Sequence, residues 1–286
     1  MAVAKLPIAC SLSIASLFSV QAFSAPSAQA AAFADAFGDF AFESFSTAPF
    51  GTNSSVFTSS FSTGSGSSAI VNADALFTNL PSTQAVNVIS NTASSPNTPG
   101  SALAESEASV IGSFAIAPNS SFSFDFFGSI DLVTAINQPS DTASAVIETR
   151  YVLFDETVNS STTEPGTQSP LDFLSLYGEI NTPTGADVAE VDHSEPVTFS
   201  MLDIVNDTGS KQSEESIFID VAGRYNRFFE QPTILTLLEI KQGIAFSKSQ
   251  DAVDVPESSS PFVWLVGISG ALMLSQRRRV APRFTQ

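Results

Sequence analysis

Phenylalanine alternates with short polar residues near the middle of the chain: Phe122, Phe124 and Phe126 are interleaved with Ser121, Ser123 and Asp125. Successive side chains of a β-strand point to opposite faces. This spacing therefore yields one apolar and one polar face only if the backbone is extended. Ile130-Asp131-Leu132 resumes the alternation. Phe127 falls out of phase, and Gly128 beside it is read as the mark of a bulge.

The same signal recurs along the chain. Residues 145–154 carry Val146, Ile147, Tyr151, Val152 and Phe154, and 171–180, 197–205, 217–221, 224–229 and 233–240 are further β-rich runs. Gly223 and Gln231-Pro232 are read as separators, Pro183-Thr184-Gly185 as a turn, and 157–166 as a polar loop. Residues 33–50 set Phe33, Phe37, Phe40, Phe42, Phe45 and Phe50 among Ala, Gly, Asp and Ser, which predicts a first strand. The Ser/Thr/Gly stretch 52–68 is read as a loose loop behind it. Residues 102–116 have a helical composition, yet Ser106, Ser109 and Gly112 favour strand or loop, and 188–191 is ambiguous. Evenly spaced strands joined by Ser, Thr, Asn, Pro and Gly predict an all-β chain, a β-sandwich or jelly roll, as a single domain over 31–254.

Both ends carry signals of another kind. Lys5, an apolar stretch over 8–20 and the small-residue triplet Ala28-Gln29-Ala30 read as a signal peptide, 1–30, cut by signal peptidase after Ala30. Ala22-Phe23-Ser24 is a weaker alternative site. The single cysteine, Cys10, would leave with that leader, so neither a disulfide nor a thiolate metal site is expected in the remaining chain.

At the other end, 255–286, Val255, Pro256 and Glu257 precede three serines. Phe262 then opens an apolar run that contains Trp264 and closes on Leu274, and Arg277, Arg278 and Arg279 follow. As a helix, 262–274 would rise roughly 20 Å, against the ~30 Å of a bilayer core. Arginine heads can snorkel to the interface, and their clustering orients the tail inside and the body outside. Gly267 and Gly270 allow another helix to approach closely. A plain membrane anchor and a buried helix are the alternatives.

This order of short motif, short apolar helix and basic end resembles the PEP-CTERM sorting signal of bacterial exported proteins. In that family a Pro-Glu-Pro motif stands where this chain has Pro256-Glu257-Ser258. The body is also similar to a group of cyanobacterial PEP-CTERM proteins in three places. These are Phe122-Ser123-Phe124-Asp125-Phe126 followed by the run 132–136, then Gly223-Arg224-Tyr225-Asn226-Arg227-Phe228, then Leu235-Thr236-Leu237. The resemblance implies export and transient membrane anchoring, then cutting near the motif by an exosortase-like membrane protease. It implies a final place at the cell surface or in the extracellular matrix.

Charge and composition narrow the chemistry. Residues 31–257 hold all 29 acidic residues and six basic ones. Such a surface repels nucleic acid and anionic membranes. The one histidine, His193, lies among Glu190, Asp192 and Glu195, so zinc held by several histidines is excluded. A catalytic triad would have to use His193, but no Gly-x-Ser-x-Gly elbow occurs. Asp187, Glu190, Asp192 and Glu195 form an oxygen-rich stretch that suits calcium, though without the calcium-loop spacing. No other cofactor is expected. A carboxylate pair for glycan cleavage has no distinguishing signature here.

The one Trp is Trp264, in the tail, and the 25 Phe are read as core filling rather than as a sugar-stacking platform. The expectation is a non-enzymatic structural or adhesive protein of the exopolysaccharide layer. The alternatives are a glycan- or calcium-binding module and a surface glycan-active enzyme.

Overall fold

The computed structural model describes residues 30–78, 83–96, 98–157, 169–183, 187–207 and 213–249, all within one compact unit. Every regular element among them is a strand. In order these are β1 (Ala30–Glu43), β2 (Gly51–Thr63), β3 (Ser68–Thr78), β4 (Gln84–Pro96), β5 (Ser101–Ile116) and β6 (Ser120–Ile136). The second half follows as β7 (Thr142–Asp155), β8 (Asp172–Thr182), β9 (Val188–His193), β10 (Val197–Asp207), β11 (Glu214–Phe229) and β12 (Thr233–Lys248).

The strands form two six-stranded sheets, β10-β11-β6-β1-β4-β3 and β2-β5-β12-β7-β8-β9, with antiparallel pairing throughout. The sheets pack face to face: β4 meets β5 and β12, β1 meets β12 and β7, and β6 meets β7 and β8. The result is a β-sandwich-like all-β fold. The first strand and the last are central in their own sheets and face one another.

One part of the core is aromatic. Phe122, Phe124 and Phe126 turn inward from β6, as their alternation requires, and join Phe40, Phe42, Phe114, Tyr151 and Tyr225. Phe114 and Phe122 lie 4.7 Å apart, and Phe124 stacks on Tyr225 at 5.0 Å. Such pairs add about 0.5–1.5 kcal/mol each beyond the area they bury.

Several sequence expectations are corrected. Gly128 marks no bulge, because β6 keeps one register past it on both sides. It is buried in phase with Phe126 and Ile130, and a Cβ there would stand 2.3 Å from the Phe40 ring. The glycine is a seat for an aromatic ring. Phe127 is the outward member of an unbroken alternation.

Residues 51–63 are strand β2 rather than loose loop, paired along their whole length with β5. Residues 101–116 are strand β5. Gly223 separates nothing, since β11 runs through it. A Cβ there would lie 2.3 Å from the Thr198 main-chain oxygen, so the glycine lets β10 approach. The irregularity belongs to β10, between Phe199 and Met201. The run expected to stop at residue 240 continues to Lys248.

Candidate functional site

The tail residues Val255, Pro256, Glu257, Phe262, Trp264, Leu274, Arg277, Arg278 and Arg279 lie outside the described residues, as does Ala28, while Ala30 opens β1. Of the acidic stretch around His193, Glu190 and Asp192 lie on edge strand β9 rather than in a loop, while Asp187 precedes the strand and Glu195 follows it in a turn. Glu190, Asp192 and His193 are exposed. The His193 ring packs edge-on against Phe199 of β10 at 5.0 Å. Among the described residues no three His, Asp or Glu side chains are gathered as metal ligands.

The unexpected chemistry lies between the sheets. In β12, Thr233, Leu235 and Leu237 face inward, and a period of two carries Glu239 and Lys241 to the same face. Both are fully buried. In the β7–β12 ladder, Tyr151 stands opposite Glu239 and Thr149 opposite Lys241. From the other sheet β4 presents Asn87, also fully buried, with its neighbours Val86 and Val88 on the outer face.

Asn87 links the two charges. Its Nδ2 donates to the main-chain oxygen of Ala108 at 2.8 Å and, in a short contact, to Oε2 of Glu239. Lys241 Nζ donates to the main-chain oxygen of Asn87 at 2.7 Å and stands 6.0 Å from the centre of the Phe40 ring. Gly38 makes room for the lysine stem, since a Cβ there would touch Lys241 Cδ at 3.4 Å. Asn87 Oδ1, Glu239 Oε1, Thr149 Oγ1 and the Tyr151 hydroxyl are buried without a hydrogen-bond partner.

Removing ions from water costs several kcal/mol each even after relaxation, so burial works against both charges. It pushes Glu239 up to about 7, opposed by Lys241 and by the Asn87 hydrogen bond. It pulls Lys241 down to about 8, opposed by Glu239 and then Asp39. The two values draw together, so an uncharged amine and an uncharged acid are both accessible near neutral pH.

Two other polar features are of lesser promise. Asp172, almost fully buried, accepts hydrogen bonds from the Tyr225 hydroxyl and from Arg227 Nη1, both at 2.8 Å. That network ties β8 to β11 and explains Tyr225 and Arg227 as structural. An open depression of about 430 Å³ beside the β10 irregularity is lined by Glu43, Asp125, Phe199 and Arg224, among others. Its arginine already pairs with Asp125 at 3.7 Å.

Sequence reading passed over Asn87, Glu239 and Lys241. The available signal was the phase of β12: from Leu235 and Leu237 a continued strand must turn Glu239 and Lys241 inward. Ending the run at residue 240 left Lys241 outside it. Asn87 carried no such signal, since Val86 and Val88 suggest the opposite phase. Comparison with known proteins finds no match: no family model, no curated protein and no solved structure is similar to this chain.

Proposed function

We propose that the chain is an exported structural or adhesive protein. In this reading it is held briefly by its tail, released by an exosortase-like membrane protease, and placed at the cell surface or in the exopolysaccharide matrix. The observation that carries the adhesive part is the apolar flank of the sandwich. Phe57 and Phe61 stand four residues apart on one face of β2 and are both exposed, and Ile70 and Leu76 are exposed on β3. Large exposed apolar patches mark contact surfaces, and Phe57 and Phe61 stand there among Ser and Thr hydroxyls. The expectation that phenylalanine serves only as core filling is thereby narrowed. Sorting rests on the order of Pro256, Glu257, the run 262–274 and Arg277 to Arg279.

Intact mass of the protein recovered from cells and from medium tests the sorting. A released product lacking the residues after Glu257 supports it. A chain that still ends at Gln286 in the membrane overturns the protease step and leaves a tethered protein. For adhesion, cosedimentation with exopolysaccharide should weaken several-fold in a Phe57→Ser, Phe61→Ser variant. Undiminished binding would remove the flank from the reading.

A further inference from the structure

We propose that Lys241, Asn87 and Glu239 form an autocatalytic cross-linking site, in which Lys241 Nζ and Asn87 Cγ join as an isopeptide bond and ammonia leaves. The inference stands on the geometry of the buried cluster and does not depend on the sorting or adhesive reading.

Three groups are required, and three are present. An amine must reach an amide carbon, a proton carrier must reach the departing nitrogen, and water must be kept out. Lys241 Nζ already touches the main-chain oxygen of Asn87. The reacting Cγ belongs to the same residue, so a rotation of the lysine stem carries the amine from one atom to the other. Near-attack separations of about 3–3.5 Å make such a step effectively unimolecular. Glu239 holds the Asn87 nitrogen, the atom that must leave. Ala108 O fixes that same nitrogen, which turns Oδ1 away from both acceptors and leaves it unpartnered. The site is closed on all sides: Asn87, Glu239, Lys241 and Tyr151 have no exposed surface.

The step balances with no added reagent. The Nζ lone pair of the neutral amine forms a bond to Cγ, and the carbonyl pair moves onto Oδ1. Glu239 receives one proton from Nζ and delivers one to Nδ2. The Cγ–Nδ2 bond then breaks, its electron pair leaves with the nitrogen as ammonia, and the carbonyl re-forms. Nothing is oxidised or reduced. The drawing together of the Glu239 and Lys241 acidities supports the neutral starting forms.

The product would staple β12 of one sheet to β4 of the other, across residues 154 apart in sequence. It would supply a covalent tie between the sheets of a chain whose sole cysteine is Cys10.

The test is the denatured mass of the full chain, purified after incubation near pH 8, with its termini read by peptide mapping. The expected mass is one ammonia below that of the unmodified polypeptide with the same ends. A protease digest should contain a branched fragment joining the segment around Asn87 to the segment around Lys241. Lys241→Met and Glu239→Gln should retain the full mass, and Asn87→Asp should lose one water in place of ammonia. An unmodified wild-type mass overturns the proposal. So does an ammonia loss that maps to an unbranched peptide or persists in Lys241→Met. Because the branched fragment is sought in the wild-type chain, the result does not depend on whether a variant folds.

Discussion

At the scale of single residues, the interior is set by where a side chain can and cannot be added. Gly128 lies under Phe40, and any Cβ would enter the ring. Gly128→Ala should destabilise the protein by about 1–3 kcal/mol, as overpacked cores do. Gly51→Ala meets nothing closer than 3.9 Å and should change stability by no more than about 0.5 kcal/mol. Urea denaturation of the two variants checks the contrast. Asp35 on β1 makes a second case. It is 3 % exposed, and burial, opposed by the Thr92 hydroxyl and reinforced by Asp131, pushes its carboxyl up to about 6. The folded state therefore binds this proton more tightly than the unfolded chain does. The group's contribution is most favourable below about pH 4, declines as pH rises through about 6, and stays unfavourable above. Asp35→Asn keeps an oxygen for Thr92 and should gain on the order of 2 kcal/mol at pH 7. Stability measured between pH 4 and 6 should slope less steeply in the variant. An unchanged slope would clear Asp35 of the cost.

At the scale of elements, the sheet edges differ in how they guard their unpaired backbone groups. β9 is a short edge with Glu190 and Asp192 on it, and charge and brevity both discourage another strand from pairing. β10 has neither safeguard along its second half. It runs from Val197 to Asp207 and exposes Met201, Leu202, Ile204 and Val205, with Asp203 the one charge among them. An exposed apolar edge is a template for a further strand. Ile204→Lys should leave the circular dichroism spectrum intact and lower self-association, read by sedimentation or light scattering. Equal association in the two proteins would direct attention to the β2–β3 flank.

At the scale of the whole molecule, the two sheets share one core rather than two. Tyr151 of β7 lies within 6.1 Å, ring centre to ring centre, of Phe40, Phe42, Phe124 and Phe126 in the opposite sheet. Separating the sheets would expose both sides of that cluster together. The near-ultraviolet signal of the buried tyrosines and the far-ultraviolet signal of the strands should therefore be lost in one coincident urea transition. Two separate midpoints would mean that one sheet outlives the other.

Phe122, Phe124 and Phe126 determined a great deal by themselves. A period of two can bury three rings on one face only in a strand, and enough such runs require a β fold. β2 was not legible, because Ser and Thr fill both of its faces and its strand character comes from hydrogen bonds to β5. Asn87, Glu239 and Lys241 were hidden for a related reason. Alternation states that two faces exist but not which one is inside. In β4 the valines read as the core face, yet pairing with β1 and β3 sets a register that turns Asn87 inward. In β12, pairing with β5 and β7 keeps one phase for the whole strand. A one-residue slip would reverse every side chain on it. Leu235 and Leu237 therefore carry Glu239 and Lys241 into the interior with them. Local pattern determined the strands, and only the assembled ladders decided which residues would meet.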